Sequence, residues 1–147
     1  MKSVCVFCAS SSAVDKVYHQ VATDLGQRIG LLGLDLIYGG AGIGLMGDVA
    51  RGVHAKGGRV VGVIPEFFLN NEQPIEYLEA DELIVVKDIR SRKAIMDERS
   101  DAFIVLPGGI GTFEEAMEII SMKQLGLTEK PLVFINTNNF YNAFIFN

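Results

Sequence analysis

Short apolar runs alternate along the chain with segments in which apolar residues recur at steps of three and four. The runs are rich in Val and Ile and nearly continuous in hydrophobicity, as strands buried on both faces of a parallel sheet are. This pattern predicts strands at residues 3–7, 34–38, 59–64, 83–87, 101–106 and 132–136.

Helices are predicted between these strands, and the clearest one follows the first strand. Its apolar residues form one helical stripe of Val14, Val17, Tyr18, Val21, Leu25, Ile29 and Leu32. The alternation predicts an α/β fold, a Rossmann-like doubly wound parallel sheet in three α/β/α layers. Ligands of such folds bind at the carboxyl ends of the strands.

Composition and charge narrow the function classes. Of the 147 residues, 49% are hydrophobic and 21% are charged, so we expect one compact domain over residues 1–147. Apolar runs stay far below the roughly 20 residues of a membrane span, and the N-terminus lacks a signal-peptide cleavage region. We therefore expect a cytoplasmic protein without membrane partners. The net charge of −5 argues against nucleic acid and favours a small ligand.

Cys5 and Cys8 have the C-x-x-C spacing of some redox and zinc sites. Both fall in or directly after the first predicted strand, no second cysteine pair exists, and His19 and His54 stand at no metal-site spacing. We therefore predict buried free thiols, histidines on helix surfaces or in packing, and no bound metal.

Two loops after predicted strands carry small or polar residues. Residues 8–12 include Ser10, whose hydroxyl is a candidate partner for a phosphate or ribose, although Ser12 and Asp15 also fit a helix capping box. After the second strand, Gly42, Gly44 and Gly47 have the G-x-G-x-x-G spacing of dinucleotide-binding loops. That motif is weak alone, and both alternatives remain open.

The segment LPGGIGTFEE, residues 106–115, is the most informative part of the sequence. Pro107 ends a predicted strand, and the glycines that follow it allow a tight turn with exposed N–H groups before a helix that begins near Thr112. Such N–H groups and the helix dipole bind an anion, most simply a phosphate. The alternative is an ordinary capping box of Thr112 and Glu115, which leaves the glycines and Glu114 unexplained.

Arg92 lies upstream, in the segment DIRSRKAIMDERS. On a helix it shares a stripe with Ile89 and Met96. A guanidinium on an inward face needs an anionic partner. The alternatives are an arginine that extends its charged end to water or one that pairs with Asp88.

Several blocks together resemble the Lonely Guy (LOG) family of cytokinin riboside 5'-monophosphate phosphoribohydrolases, long mislabelled as lysine decarboxylases. PGGIGTFEE is similar to the family signature P-G-G-x-G-T-x-x-E, and Arg92 and Lys93 match the family's upstream R-K pair. FCASSS, YGGAGIGLMG, GVIPEF and QLGLTEKP resemble further blocks in the family's order, over nearly the whole chain.

The resemblance implies hydrolysis of the N-glycosidic bond of N6-modified or unmodified adenosine 5'-monophosphates, without metal or organic cofactor, by a homodimer or higher homo-oligomer. The catalytic pair that it implies is Arg92 and Glu115. The substrate-binding residues are Ser10, Gly42, Glu72, Lys93, Gly108, Gly109, Ile110, Gly111, Thr112 and Ser121.

Three features depart from the family pattern. Ile89-Arg90 replaces the usual Met-His, Ala9 replaces a common glycine, and the family's C-terminal helices are expected to be missing after residue 147. One alternative function is a nucleotide or molybdenum-cofactor carrier with the same type of loop. A lysine decarboxylase would need pyridoxal phosphate on a lysine, for which Lys93 is the only candidate.

Overall fold

In a computed structural model that describes residues 1–145, the chain forms a six-stranded sheet. The strands are β1 (Ser3–Phe7), β2 (Asp35–Tyr38), β3 (Val60–Pro65), β4 (Glu82–Val86), β5 (Phe103–Val105) and β6 (Leu132–Phe134). Their order across the sheet is β4-β3-β2-β1-β5-β6, and each neighbouring pair is parallel. The predicted strands and the parallel sheet are confirmed, with small shifts at the strand ends.

Five α-helices accompany the sheet in the described residues: α1 (Lys16–Leu31), α2 (Gly44–Ala55), α3 (Ile89–Glu98), α4 (Ile110–Gln124) and α5 (Asn142–Ile145). Side chains of α1 and α2 pack with one set of strand residues, and side chains of α3 and α4 pack with the other set. Because successive strand residues point to opposite faces, Val4 and Val6 join the first cluster while Cys5 and Phe7 join the second. The three-layer prediction is therefore confirmed.

The connection from β3 to β4 differs from the prediction of a helix between each pair of strands. Residues 66–81 contain one turn of 3₁₀ helix, Glu66–Phe68, and no α-helix. Pro74 and the polar residues 70–73 explain this, because proline and turn-forming side chains interrupt helical hydrogen bonding. The segment is held instead by backbone bonds to the loop after β2, where Tyr77 N–H donates to the Gly40 carbonyl at 2.8 Å.

Both cysteines are buried free thiols, as predicted. Burial is the main cause that raises the pKa of each thiol above its ordinary value, and the nearby charge of Glu115 raises it further. The capping-box alternative for Ser12 and Asp15 is wrong, because Asp15 itself is the N-cap residue of α1 and makes no side-chain capping bond.

The strand order determines where the loops meet. From β1 the chain moves outward through β2 and β3 to β4 and then returns to β5, on the other side of β1. The loops that follow β1 and β5 therefore leave the sheet in opposite directions and leave a crevice between them. Ala9 N–H donates to the Pro107 carbonyl at 3.3 Å across this switch point. The sheet thus brings the serine loop, residues 8–12, beside the PGG loop, residues 107–109.

Within residues 1–145, no helix is both long and apolar enough to cross a lipid bilayer. The cytoplasmic location stays a prediction.

Candidate active site

A cavity of about 520 Å³ opens at the switch point. The serine loop forms one wall, the start of α4 forms another, and Arg92 of α3 and Phe68 of the β3–β4 connection close the sides. The lining residues are Cys8, Ala9, Ser10, Ser11, Met46, Phe68, Ile89, Arg92, Gly109, Ile110, Gly111, Thr112, Glu114 and Glu115. The cavity thus brings together the two predicted catalytic residues and five of the predicted binding residues, Ser10, Gly109, Ile110, Gly111 and Thr112.

Helix α4 presents its N-terminus to this cavity. It begins at Ile110, earlier than the predicted start near Thr112, with Gly109 as the N-cap residue. The first helical turn closes when Phe113 N–H donates to the Gly109 carbonyl at 3.0 Å. The N–H groups of Ile110, Gly111 and Thr112 therefore have no partner inside the helix, and the positive end of the helix dipole adds to their attraction for an anion.

The capping-box alternative for Thr112 and Glu115 is wrong. Both residues lie inside α4, and the N-cap residue, Gly109, has no side chain. Thr112 is buried, and a Cβ atom on Gly108 would overlap its Oγ1 atom. Gly108 is therefore required for the packing of Thr112.

Gly109 and Gly111 have a different reason to be glycine. A Cβ atom built on either one meets no protein atom within 4 Å among the described residues, and neither needs a left-handed backbone. Both residues line the cavity. A side chain at either position would reduce the space beside the helical N–H groups, so these glycines keep that backbone accessible to a ligand.

The Glu115 side chain is largely shielded from solvent. The residue is 9% exposed and forms no side-chain hydrogen bond to another described residue. Burial raises the pKa of Glu115 to about 7, although the Arg92 charge opposes this shift. A carboxyl group with this pKa exchanges protons near neutral pH, as general acids and bases do.

Arg92 reaches across the sheet edge from α3. Its Nε atom donates to the Val63 carbonyl at 2.9 Å, and an Nη atom donates to the Gly39 carbonyl at 2.5 Å. The alternative that Arg92 pairs with Asp88 is wrong. Asp88 instead caps α3 by accepting from Ser91 N–H at 2.7 Å. Burial lowers the pKa of the Arg92 guanidinium, and the charge of Glu115 opposes this.

Sequence reasoning missed Gly39. A Cβ atom at this position would overlap the Arg92 guanidinium, so the first glycine after β2 makes room for that side chain. Its position directly after the end of β2 is the sequence signal that could have identified it. The apolar lining by Met46, Phe68 and Ile89 was also missed, since these residues resemble ordinary core positions in the sequence.

Lys93 does not line the cavity. Its Nζ atom donates to the carboxylates of Glu114 and Glu118, both on α4. Burial alone would lower the pKa of Lys93, but these two carboxylates outweigh it and the pKa lies above its ordinary value.

Four further predicted binding residues lie outside the cavity lining. Gly108 is beside it, and Gly42 is in the loop after β2, where its N–H donates to the Ile75 carbonyl at 2.7 Å. Glu72 is exposed in the β3–β4 connection, and Ser121 is exposed on α4. Their roles in binding stay predictions.

Two of the three G-x-G-x-x-G glycines, Gly44 and Gly47, are explained by internal packing. Gly44 has a left-handed backbone with φ of 58°, and a Cβ atom there would overlap the Ser10 carbonyl. A Cβ atom on Gly47 would overlap the Gly42 carbonyl. The motif therefore holds the start of α2 against the serine loop, and a dinucleotide site is not needed to account for it.

Both histidines bind protein partners. His19 contacts Asp48, and His54 lies between Tyr77 and Asp81, with Nδ1 2.7 Å from the tyrosine oxygen and Nε2 2.8 Å from the carboxylate. Among residues 1–145, no group of three or more His, Cys, Asp or Glu side chains is arranged to hold a metal ion.

Comparison with known proteins identifies the family. A model of the family described as "Possible lysine decarboxylase" matches residues 46–145. The protein named cytokinin riboside 5'-monophosphate phosphoribohydrolase LOG5, from Arabidopsis thaliana, is 47% identical over 141 residues. The chain belongs to the LOG family. A second Arabidopsis LOG protein, named as the probable enzyme LOG6, is 44% identical over 144 residues.

The LOG relatives are longer than this chain. The matched region covers 96% of this chain and 61% of LOG5, and it covers 98% of this chain and 71% of LOG6. The chain thus spans about three fifths to seven tenths of these two relatives.

Solved structures support the fold of this LOG-family chain. The Moco carrier protein from Chlamydomonas reinhardtii has a TM-score of 0.75 at 23% identity, covering 98% of this chain and 85% of its own. The molybdenum cofactor binding protein from Rippkaea orientalis has a TM-score of 0.70 at 24% identity, covering 91% and 76% of the two chains. At these identities the similarity shows a common fold.

Proposed function

We propose that this chain hydrolyses the N-glycosidic bond of adenosine 5'-monophosphates, with or without an N6 substituent, and releases free base and ribose 5-phosphate. The observation that carries the proposal is the position of Glu115. A buried carboxyl group with a pKa of about 7 faces the same cavity as Arg92 and the N-terminus of α4. The names of the LOG relatives support the same reaction.

The start of α4 is suited to the 5'-phosphate. The N–H groups of residues 110–112 bind its oxygens, and Gly109 and Gly111 leave the space that it needs. Binding energy from this non-reacting end then positions the ribose beside Glu115, one helical turn further along.

Glu115 acts on the ribose carbon C1'. When the bond from C1' to the purine nitrogen breaks, its electron pair leaves with the base and an oxocarbenium-like sugar remains. Ionised Glu115 stabilises that positive charge and accepts a proton from the attacking water, whose oxygen bonds to C1'. The departing base takes up a proton, so the products are free base and ribose 5-phosphate. Arg92 orients the Glu115 carboxylate or binds the phosphate or ribose.

A direct assay tests the reaction. Purified protein is incubated with a panel of nucleoside monophosphates that includes AMP and N6-prenylated AMP, and the released bases are separated by chromatography. We expect base release from the monophosphates and far slower release from the corresponding nucleosides. Equal rates on AMP and adenosine would contradict the phosphate role of α4. Tight binding of AMP without any base release would favour a carrier function.

Pyridoxal phosphate does not fit this site, although the family description mentions a decarboxylase. A lysine that forms a Schiff base needs a lowered pKa and access to the cavity. Lys93 has a raised pKa, contacts two carboxylates and does not line the cavity. We expect no pyridoxal absorbance in the purified protein and no cadaverine from lysine.

A homodimer is part of the proposal. Helix α4 exposes Ile110 (86%), Phe113 (39%) and Met117 (38%), and Phe144 of α5 packs edge-on against Phe113. This apolar surface borders the cavity mouth, and a symmetric contact would cover it in both copies. Light scattering at micromolar concentration tests the assembly, and a fully active monomer would contradict it.

A further inference from the structure

Lys93 connects two helices that carry the proposed catalytic residues. It follows Arg92 on α3, and its Nζ atom donates to Glu114 and Glu118 on α4. The Lys93 side chain is 11% exposed, whereas those of Glu114 and Glu118 are 50% and 40% exposed. A sheltered ammonium group with both carboxylate partners on one neighbouring helix fixes the spacing between α3 and α4.

The two partners lie on both sides of Glu115 along α4. Glu114 directly precedes it, and Glu118 lies almost one turn after it. Lys93 itself is absent from the cavity lining, where Arg92, Glu114 and Glu115 are present. The lysine therefore contacts the cavity wall through Glu114.

The charges that face Glu115 have opposite effects on its ionisation. Burial is the largest cause of its raised pKa, the Arg92 and Lys93 charges of α3 lower that pKa, and the Glu114 and Glu118 charges of α4 raise it. From β1 and the serine loop, Cys5 and Cys8 face the same carboxyl group as thiols with raised pKa values. Lys93 is thus the direct counter-charge of the two carboxylates that oppose ionisation of Glu115.

We infer that Lys93 is a positioning residue, which holds Glu114 and Glu118 and thereby keeps the Glu115 carboxylate beside Arg92 and ionisable, and that it does not bind the nucleotide phosphate. The inference rests on the proposed function for the reaction that Glu115 serves. It gives Lys93 a different role from the substrate binding that the family resemblance implies.

The test combines Lys93→Met, Glu118→Gln and the double variant. Lys93→Met leaves two uncompensated carboxylates beside Glu115, so the acidic limb of the kcat–pH profile for AMP moves upward by about one pH unit, a roughly tenfold loss of kcat at pH 6. In the double variant one of these carboxylates is neutral, so the limb moves back toward the wild-type position. A lysine that binds phosphate predicts no such rescue.

Phosphate affinity provides the second measurement. Calorimetric titration with ribose 5-phosphate is expected to give Kd values within about threefold of wild type for all three variants, since a lost direct phosphate contact costs tenfold or more. A tenfold loss in Lys93→Met overturns the inference. So does tighter binding by Glu118→Gln, because that substitution would have released Lys93 toward the ligand. Glu118→Gln replaces a partly exposed side chain, so this variant decides the question even if Lys93→Met does not fold.

A measurement without turnover separates this inference from the proposed reaction. The Glu115 carboxyl carbon is titrated by ¹³C NMR in wild type and Lys93→Met, assigned by its loss in Glu115→Gln. An upward shift of the Glu115 midpoint supports the positioning role even if AMP is not cleaved, and an unchanged midpoint overturns it. Lys130→Met is the matched control, because Lys130 pairs with Asp97 of α3 away from the cavity lining, and it should leave the midpoint and kcat unchanged.

Discussion

Two glycine-rich loops follow strands at the same edge of the sheet, yet their glycines serve opposite purposes. After β2, where the loop leads into the start of α2, side chains at Gly44 and Gly47 would overlap backbone atoms of Ser10 and Gly42. At Gly109 and Gly111, before and within the start of α4, an added Cβ atom would meet no described protein atom within 4 Å.

The difference shows how a glycine motif should be interpreted in a structure. Gly44 and Gly47 are necessary because protein atoms occupy the space beside them, so they stabilise the fold. In the second loop Gly108 is required by Thr112, but Gly109 and Gly111 are not required by any neighbour among residues 1–145, so the space beside these two is available to a ligand. The first loop carries the better-known G-x-G-x-x-G spacing, but the second lines the candidate active site.

The largest effect that this comparison predicts is at the end of the second loop. Glu115→Gln should lose about a hundredfold or more in kcat on AMP, because the neutral amide neither stabilises an oxocarbenium ion nor accepts a proton from water. Steady-state kinetics with chromatography of the base measures the loss.

Glu98→Gln is the control for this substitution, since Glu98 is an exposed residue at the end of α3. Glu114→Gln should have a smaller effect than Glu115→Gln, because its carboxylate is half exposed and bound to Lys93. Near-native turnover in Glu115→Gln would remove the basis for hydrolysis, and a carrier function would then be the better proposal.

Gly47→Ala should chiefly lower stability. The new methyl group has to displace the Gly42 carbonyl, and overpacking of this kind costs about 2 kcal/mol. Urea denaturation measures the change in the free energy of unfolding, and we expect AMP affinity of the folded fraction to be retained. A native denaturation midpoint would show that the first loop is less tightly packed than the structure indicates.

Gly111→Ala should have the opposite profile. Because Gly111 is helical and its surroundings are open, alanine should raise stability by roughly 0.5–1 kcal/mol. Its methyl group would reduce the space beside the helical N–H groups, and we expect kcat/KM on AMP to fall about tenfold while that on adenosine changes little. An equal loss on both substrates would indicate that the phosphate of AMP does not bind at the start of α4.

The effect that should be smallest near neutral pH is a pH dependence. With a Glu115 pKa of about 7, the ionised and active fraction falls roughly tenfold per unit as the pH drops below that value. Stability changes in the other direction, because a buried carboxyl group whose pKa is raised on folding stabilises the native state when protonated. Between the ordinary carboxyl pKa and about 7, rising pH therefore costs stability, and Glu115→Gln should remove that cost.

Thermal melts of wild type and Glu115→Gln at pH 5 and pH 8 test whether rising pH lowers stability through Glu115. The variant should gain stability relative to wild type at pH 8 and less so at pH 5. A pH-independent difference between them would mean that Glu115 has an ordinary pKa in the folded protein.

Sequence periodicity predicted the strands and layers well because burial on both faces of a parallel sheet leaves continuous apolar runs. It failed between β3 and β4, where Pro74 and polar residues replace a helix with an irregular segment. The start of α4 was also misplaced, because Thr112 matches a capping residue in sequence while its side chain is buried against Gly108.

Within the site, Arg92 and Glu115 were predicted from spacing and family resemblance, and the structure brings both to one cavity. The contacts of Lys93 were beyond reach of the sequence. They depend on how α3 and α4 pack against the same face of the sheet, and no local pattern records a contact between residues 93 and 118.

The carbonyl partners of Arg92 have a thermodynamic consequence. Val63 and Gly39 solvate the guanidinium with dipoles, and none of its hydrogen bonds goes to a carboxylate among residues 1–145. The nearby charge of Glu115 therefore gives its positive charge only partial compensation. An anion that enters the cavity supplies that compensation only in the native state, and by linkage it must raise the melting temperature with its concentration. Ribose 5-phosphate should therefore protect the protein against heat and also compete with AMP, so the proposed hydrolysis would slow as its product accumulates.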